Sequence, residues 1–567
     1  MLELGERHWL AKAATWDFGE AKIELPNVAY FTSPGVKPPE YAVLTCGPGG
    51  ALSHSGSTLS PDGLYEGMLP PFSPMPLLRE DGAAIDAKGS VCLLQGKGWP
   101  DGPLPDAELY VLVNAAELWK RPRELARRLA RFSDLAPCES ALYAPGCATP
   151  ANLALLLYCG VGLVDDTLAH VAAASGISMG HEGSLPSEES MDDLLAHNRR
   201  ELHSELKKAL RYMKMGRLRE YAEYKAGAGP LSCALLRHVD LRHYGSVEAH
   251  VPLEGPKFRA NTRASLTRPD VVRWHERIME RYRPPEAAKI LLLIPCSARK
   301  PYSLSRTHAL FRSAIQRSGA GGVVHEVIVT SPLGAVPREL ESFYPARHYD
   351  IPVTGDWDRE ERHRALALVE HIVKVGSYSK IVMHLDVEAE FFRALDADAS
   401  TGGEDATSAK SLDALAAALK EAAKGLERIS SRQREVADLA GLARFQFGEA
   451  GDSLMRDCTT RMGRGHVQIL KGGEQVASYR EERGMLSLAP AGGKILAESG
   501  GYCVKIDDFE PKGTVFVGGV LDADKDIRAG DDVAIMHGTE VRAVGVARMS
   551  GPEMLRCKRG EAVKTRR

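Results

Sequence analysis

The hydrophobic rhythm of this chain changes near residue 443, and that change constrains the fold more than any other feature. Before it, short apolar runs such as ELYVLVNAAELW, SALYAPG and KILLLIP alternate with amphipathic helical stretches, the pattern of parallel α/β units. After it, GHVQILKGGEQVASYR, YCVKIDDF, GTVFVGGV, DDVAIMHG and RAVGVARMSG read as short strands between Gly-rich turns, an all-β pattern. A chain of 567 residues has room for several domains, and no internal repeat divides it.

Within the α/β part, the alternation of strand and helix signals over residues 1–265 favours a parallel α/β arrangement, with a barrel as one option. The stretch MDDLLAHNRRELHSELKKALRYMKMGRLREYAEYK predicts a long amphipathic helix interrupted at Gly216. A second unit over 266–397 has strands KILLLIP, VVHEVIVTS and KIVMHLD, with helices around 307–318, 358–375 and 387–396, the order of a small doubly wound sheet. The polar stretch DADASTGGEDATSAK then leads into a linker helix and a small α+β domain over 398–492, and residues 493–567 form a last β module.

Charge is unevenly spread. The whole chain carries -3, yet from Arg542 onward eight Lys or Arg face two Asp or Glu, a local +6 that leaves -9 on the other 541 residues. A basic patch at one end is the footprint of phosphate binding. The ten cysteines include no Cys-x-x-Cys pair, which argues against a zinc ribbon and a secreted disulfide framework. The N-terminus does not read as a signal peptide, and no apolar run approaches the roughly 20 residues that cross a bilayer, so a cytoplasmic protein without membrane contact is expected.

The chemistry-bearing segment is PCSARKPYSLSRTH, residues 295–308, directly after the apolar strand KILLLI. Ser305 is placed to cap the following helix, with His308 in its first turn. Cys296, Ser297, Lys300, Tyr302 and His308 therefore share one strand–loop–helix corner, where open α/β sheets bind ligands. A nearby lysine and a helix N-terminus both favour a thiolate over a thiol. Two further loops supply Ser331 and Gly334, then His348, Tyr349, Asp350, Thr354 and Asp356, and together the three make one polar pocket. Taken singly, each residue reads equally well as a buried Cys, a capping Ser or a satisfied His.

Three resemblances add to this reading. Residues 494–567, through FEPKGTVFVGGVLDADKDIRAGDDVAIM, RAVGVARMSGPEML and KRGEAVKTRR, resemble a PUA domain, a small RNA-binding β-barrel. That resemblance implies RNA contacts at Lys512, Gly518, Arg528, Arg548, Arg559, Lys564 and Arg566. Residues 150–240 resemble the tRNA-guanine transglycosylases, which implies a (β/α)8 barrel with Asp165, in YCGVGLVDDTLAHVAAASG, at the place of the family's nucleophile. Where that family has zinc cysteines this chain reads EGSLPSEESMDD; His197 alone cannot hold the metal, so a degenerate barrel without zinc, with Asp165 structural or touching RNA, is expected.

The PCS and KPY runs, Ser305, His308, SPLG and YDIPVTG resemble the archaeosine synthases, divergent relatives of the transglycosylases. That resemblance implies a tRNA substrate bearing 7-cyano-7-deazaguanine in the D-arm and conversion of its nitrile toward an amidine. The nitrogen donor would be lysine or glutamine, and with lysine a radical SAM partner protein would cleave the adduct. No cofactor is implied. Cys296, Lys300 and His308 are the expected catalytic residues, as nucleophile, charge stabiliser and proton relay. Two other functions stay open, an active transglycosylase and a non-catalytic tRNA-binding subunit, as does the oligomeric state, with a homodimer one option.

Overall fold

The computed structural model describes residues 2–18, 21–33, 35–47, 51–59, 85–88, 90–94, 102–352 and 356–566. The chain divides into two compact units: residues 1–251 with 556–560, and residues 252–555 with 561–567.

In the first unit, strands Leu2–His8, Ala11–Phe18 and Ala21–Leu25 form an antiparallel sheet. The larger sheet has nine strands. Its centre is parallel, in the spatial order Leu44–Cys46, Asn27–Phe31, Leu163–Asp165, Ala141–Tyr143, Leu109–Leu112, Val91–Leu94. Antiparallel strands flank that centre on both sides. Among the described residues this is an open, half-barrel sheet, where the sequence predicted a closed if degenerate (β/α)8 barrel. The alternation of strands and helices was legible, but closure depends on which edge strands pair, and hydrophobic periodicity does not encode that.

The helical stretch breaks where expected: Met191–Lys214 and Leu218–Ala226 are separated by Gly216, whose φ of +67° a side chain would resist. At the place of the family's zinc cysteines, a short hairpin, Ile177–Met179 with Ser184–Pro186, is fastened by hydrogen bonds. The Asn198 side chain accepts from Met179 N at 2.7 Å and donates to the Ile177 carbonyl at 3.0 Å. Lys225 Nζ donates to the His181 carbonyl at 2.5 Å, and the His181 ring lies 2.8 Å from the buried Glu205. Cys138 and Cys557, which spacing gave no reason to pair, form a disulfide in this unit.

The second unit contains the predicted doubly wound sheet. Its strands are β1 (Ile290–Pro295), β2 (Val324–Thr330), β3 (Gly334–Pro337), β4 (Lys380–Met383) and β5 (Asp398–Ala399), in the order β3-β2-β1-β4-β5. β1 runs parallel to both β2 and β4, and residues 290–294 are fully buried, as a strand covered on both faces must be. Helix α1 (Pro269–Glu280) precedes the sheet, α2 (Arg306–Ser318) joins β1 to β2, and α3 (Arg359–Val375) precedes β4. Successive crossovers leave β1 toward opposite sides of the sheet. The carboxyl end of β1 is therefore a topological switch point, the place where open α/β sheets bind ligands.

Beyond it, helices Ala409–Ala422 and Ser431–Phe447 lead to a four-stranded antiparallel sheet over residues 458–488. A six-stranded sheet between Cys503 and Arg566 ends the chain. No helix among the described residues is long and apolar enough to cross a membrane.

Candidate active site

Cys296 follows the last residue of β1 and is half-buried at the switch point. Burial pushes its thiol pKa up, while a hydrogen bond with Thr330 and the charge of Lys300 pull it back; the Glu388 carboxylate pushes it up again. Thr330 ends β2, so the neighbouring strand brings its hydroxyl to the sulfur. Glu388 arrives from the segment after β4.

Lys300 is left unsatisfied here, as are Nε2 of His308 and Nδ1 of His348. Its Nζ is buried and has no hydrogen-bond partner among the described residues. It lies 4.1 Å from the centre of the Tyr349 ring and 5.6 Å from that of Tyr302, a cation–π cradle. Burial lowers its pKa, and the nearby Cys296 and Asp350 oppose that shift. An ammonium held over aromatic faces without an oxygen acceptor is placed to meet developing negative charge.

The cradle is itself braced. Tyr302 and Tyr349 hydroxyls are 2.5 Å apart, and Thr330 Oγ1 lies 2.5 Å from Tyr349 Oη. Burial raises the pKa of both phenols, so both stay protonated. Tyr349–Asp350 pairs in parallel with Phe258–Arg259, and Lys257 Nζ is 3.2 Å from Asp350 Oδ2.

The other predicted residues fall elsewhere. Ser305 caps α2 as its spacing suggested, accepting from His308 N at 3.1 Å. His308 is fully buried behind Tyr302 and accepts at Nδ1 from Arg338 at 2.8 Å. Burial and the Arg338 charge hold its pKa down to about 2, so it is a neutral ring in the wall of the corner. Ser331 donates to Glu361 at 2.5 Å, tying the β2 loop to the first turn of α3. Gly334 is buried with φ +74°, and a Cβ there would stand 2.8 Å from Leu368 Cδ1, so its position is set by backbone packing. Ser297 donates to the Arg299 carbonyl within its own loop. His348 is half-buried, its pKa lowered to about 4 by burial and Arg347. Asp356 is exposed, and Thr354 lies outside the described residues.

Thr330, Glu388 and Lys257 were not singled out in the sequence. The available signal was topological: the carboxyl ends of the strands flanking β1 had to face its loop.

The first unit holds a contrasting carboxylate. Asp165 is buried and accepts from Tyr143 Oη at 2.8 Å, Gly146 N at 3.0 Å and Thr167 N at 3.0 Å. Among the basic residues of the last module, Lys512, Arg548, Arg559 and Lys564 are exposed, as is Gly518. Arg528 folds back onto the Lys525 and Ile527 carbonyls, and Arg566 pairs with the buried Asp532.

Comparison with known proteins places this geometry in a class. Residues 510–567 match the PUA domain, residues 437–502 the patch-forming domain C2 of tRNA-guanine transglycosylase, and residues 271–419 a domain of unknown function (DUF5591). These matches give the chain a PUA domain and, before it, a domain shared with tRNA-guanine transglycosylase. Archaeosine synthase subunit alpha of Methanosarcina acetivorans is 36% identical over 82% of this chain and 80% of its own. Archaeosine synthase of Haloferax volcanii is 33% identical over 81% of this chain and 82% of its own. The tRNA-guanine(15) transglycosylase of Methanothermobacter thermautotrophicus is 26% identical over 68% of this chain and 55% of its own. The chain belongs to the archaeosine synthase family.

Proposed function

We propose that this chain modifies tRNA in archaeosine formation, adding an amino-acid nitrogen to the nitrile of 7-cyano-7-deazaguanine and leaving an amidine. The observation that carries the reading is the pairing of Cys296 with the unpartnered ammonium of Lys300 at the switch point. A nitrile carbon is a sluggish electrophile, and a thiolate is a strong nucleophile toward it.

In the proposed sequence the Cys296 thiolate bonds to the nitrile carbon. One C–N π pair moves to nitrogen, which takes a proton, giving a thioimidate. The donor amine, from lysine or glutamine, then bonds to the same carbon; the C–S bond breaks and the thiolate is released. The amine sheds one proton, and the product is the amidine. Lys300 stabilises the negative charge that builds on nitrogen. Glu388, whose carboxyl pKa burial raises, is suited to take the proton from the incoming amine. His308 supports the corner instead of relaying protons, since a ring with a pKa of about 2 does not cycle near neutrality.

The target base has to leave its stack to reach a half-buried sulfur. The PUA domain, through exposed Lys512, Arg548 and Lys564, would hold the tRNA while it does. The open nine-stranded sheet of the first unit and its helices would serve as a platform for the same RNA.

The test is to incubate the chain with tRNA carrying 7-cyano-7-deazaguanine plus lysine or glutamine, and to read the nucleosides by mass spectrometry. Loss of the nitrile nucleoside with gain of an amidine or its amino-acid adduct is expected. Incorporation of free base, or no change with either donor, would overturn the reading.

A further inference from the structure

The first unit carries a basic cleft far in sequence from the PUA module. It is a cavity of about 680 Å³ lined by Arg121, Arg123, Arg127, His238, Arg242 and Glu124, with Pro122 and His243 completing the wall. Two packed helices build it, Pro122–Leu135 by its first turn and Pro230–Arg242 by its last.

The charges do not cancel. Glu124 is the one acid of the lining, and it is consumed by Arg127, at 2.6 Å, and by Arg128, at 2.8 Å. Arg121, Arg123 and Arg242 are exposed and make no ion pair among the described residues. Exposed Lys120 and Arg237 continue the basic stripe on either helix. The helix start adds the positive end of its dipole. His238 has its pKa lowered by burial and by Arg242, Arg123 and Arg237, so these cations all bear on one place. Long, exposed arginines with no protein acceptor suit the oxygens of an extended polyanion, because each guanidinium can fork onto a phosphate.

We propose that this cleft is a second RNA-binding site, gripping the phosphodiester backbone of the tRNA through Arg121, Arg123 and Arg242. The inference rests on the reading of the chain as a tRNA-modifying protein. Two sites on one tRNA raise affinity beyond either alone, provided both can be engaged together.

The test uses the full chain with Arg123→Ala and Arg242→Ala combined, and a second variant carrying Arg123→Lys and Arg242→Lys. tRNA binding is followed by fluorescence anisotropy across a salt series, with melting curves as a fold control. The alanine variant is expected to bind tRNA at least about tenfold more weakly and to lose about 1 to 2 from the slope of log affinity against log salt, whereas the lysine variant keeps most of both. Unchanged affinity and slope in a folded alanine variant would overturn the proposal. So would the pattern of a small-anion site, in which inorganic phosphate shifts the His238 and His243 ring resonances in the unaltered chain only while all variants bind tRNA equally. Failure of the unaltered chain to bind tRNA would strike the proposed function itself and take this inference with it.

Discussion

Asp165 and Lys300 occupy comparable places, each at the carboxyl end of a parallel sheet in its own unit. Asp165 accepts from a tyrosine hydroxyl and two backbone N–H groups. Lys300 has aromatic faces and a sulfur neighbour but no hydrogen-bond acceptor among the described residues. A buried polar group whose bonding is complete stabilises a fold; one left incomplete at some cost in stability is available to a substrate. Burial alone does not distinguish the two, and satisfaction of hydrogen bonds does.

The largest effect expected from this contrast is at the sulfur. Cys296→Ala should lower turnover by roughly 10³-fold or more while tRNA affinity holds, measured by single-turnover nucleoside analysis. Asp165→Asn should do the opposite, leaving turnover within about twofold and costing about 1–3 kcal/mol of stability in thermal unfolding. If Asp165→Asn abolished turnover in a folded protein, the contrast would break.

Next comes Lys300→Met, expected to cost about 10²-fold in turnover. Its pH profile carries the sharper signature. The Lys300 charge lowers the Cys296 pKa against burial, so its removal raises that pKa further and moves the rise in rate to more alkaline pH. An unmoved profile would mean the two groups are not coupled. Thr330→Val removes the other group that favours the thiolate, and about a fivefold loss is expected, with the same alkaline direction.

The smallest effect separates wall from site. His308 has a folded pKa of about 2 against an ordinary value of 6.5, so below the latter the unfolded chain binds the proton and the folded chain does not. Stability from this group is present above pH 6.5 and is lost as pH falls toward 2. His308→Gln should therefore flatten the acid loss of melting temperature by an amount equal to about 1 kcal/mol per pH unit at most. A change in the pH dependence of turnover near neutrality would instead return His308 to proton transfer.

Much of this was legible beforehand. KILLLI read as an apolar strand because the five apolar residues after Lys289 leave no polar face, and Ser305 read as a helix cap from its place before His308. The corner holding Cys296 and Lys300 followed from those two. What stayed hidden depends on tertiary pairing. Thr330 bonds to the sulfur and the Glu388 charge acts on it because β2 and β4 flank β1, an order that no local pattern carries. The same holds for the packing of Gly334 against Leu368 and the bond of Ser331 to Glu361, two residues expected at the substrate from their loop position. Arg528 and Arg566, expected at RNA from the PUA resemblance, also hydrogen-bond or pair within the protein, which the sequence did not show.

The central claim is that the sulfur of Cys296 bonds to the nitrile carbon. It is tested most directly by mixing the unaltered chain with tRNA bearing 7-cyano-7-deazaguanine, withholding the donor amine, and resolving the protein on a denaturing gel with peptide mass mapping. A tRNA-linked species mapping to residue 296, dispersed on adding the amine, is the expected result. No adduct at that residue, together with near-normal turnover by Cys296→Ala, would contradict it.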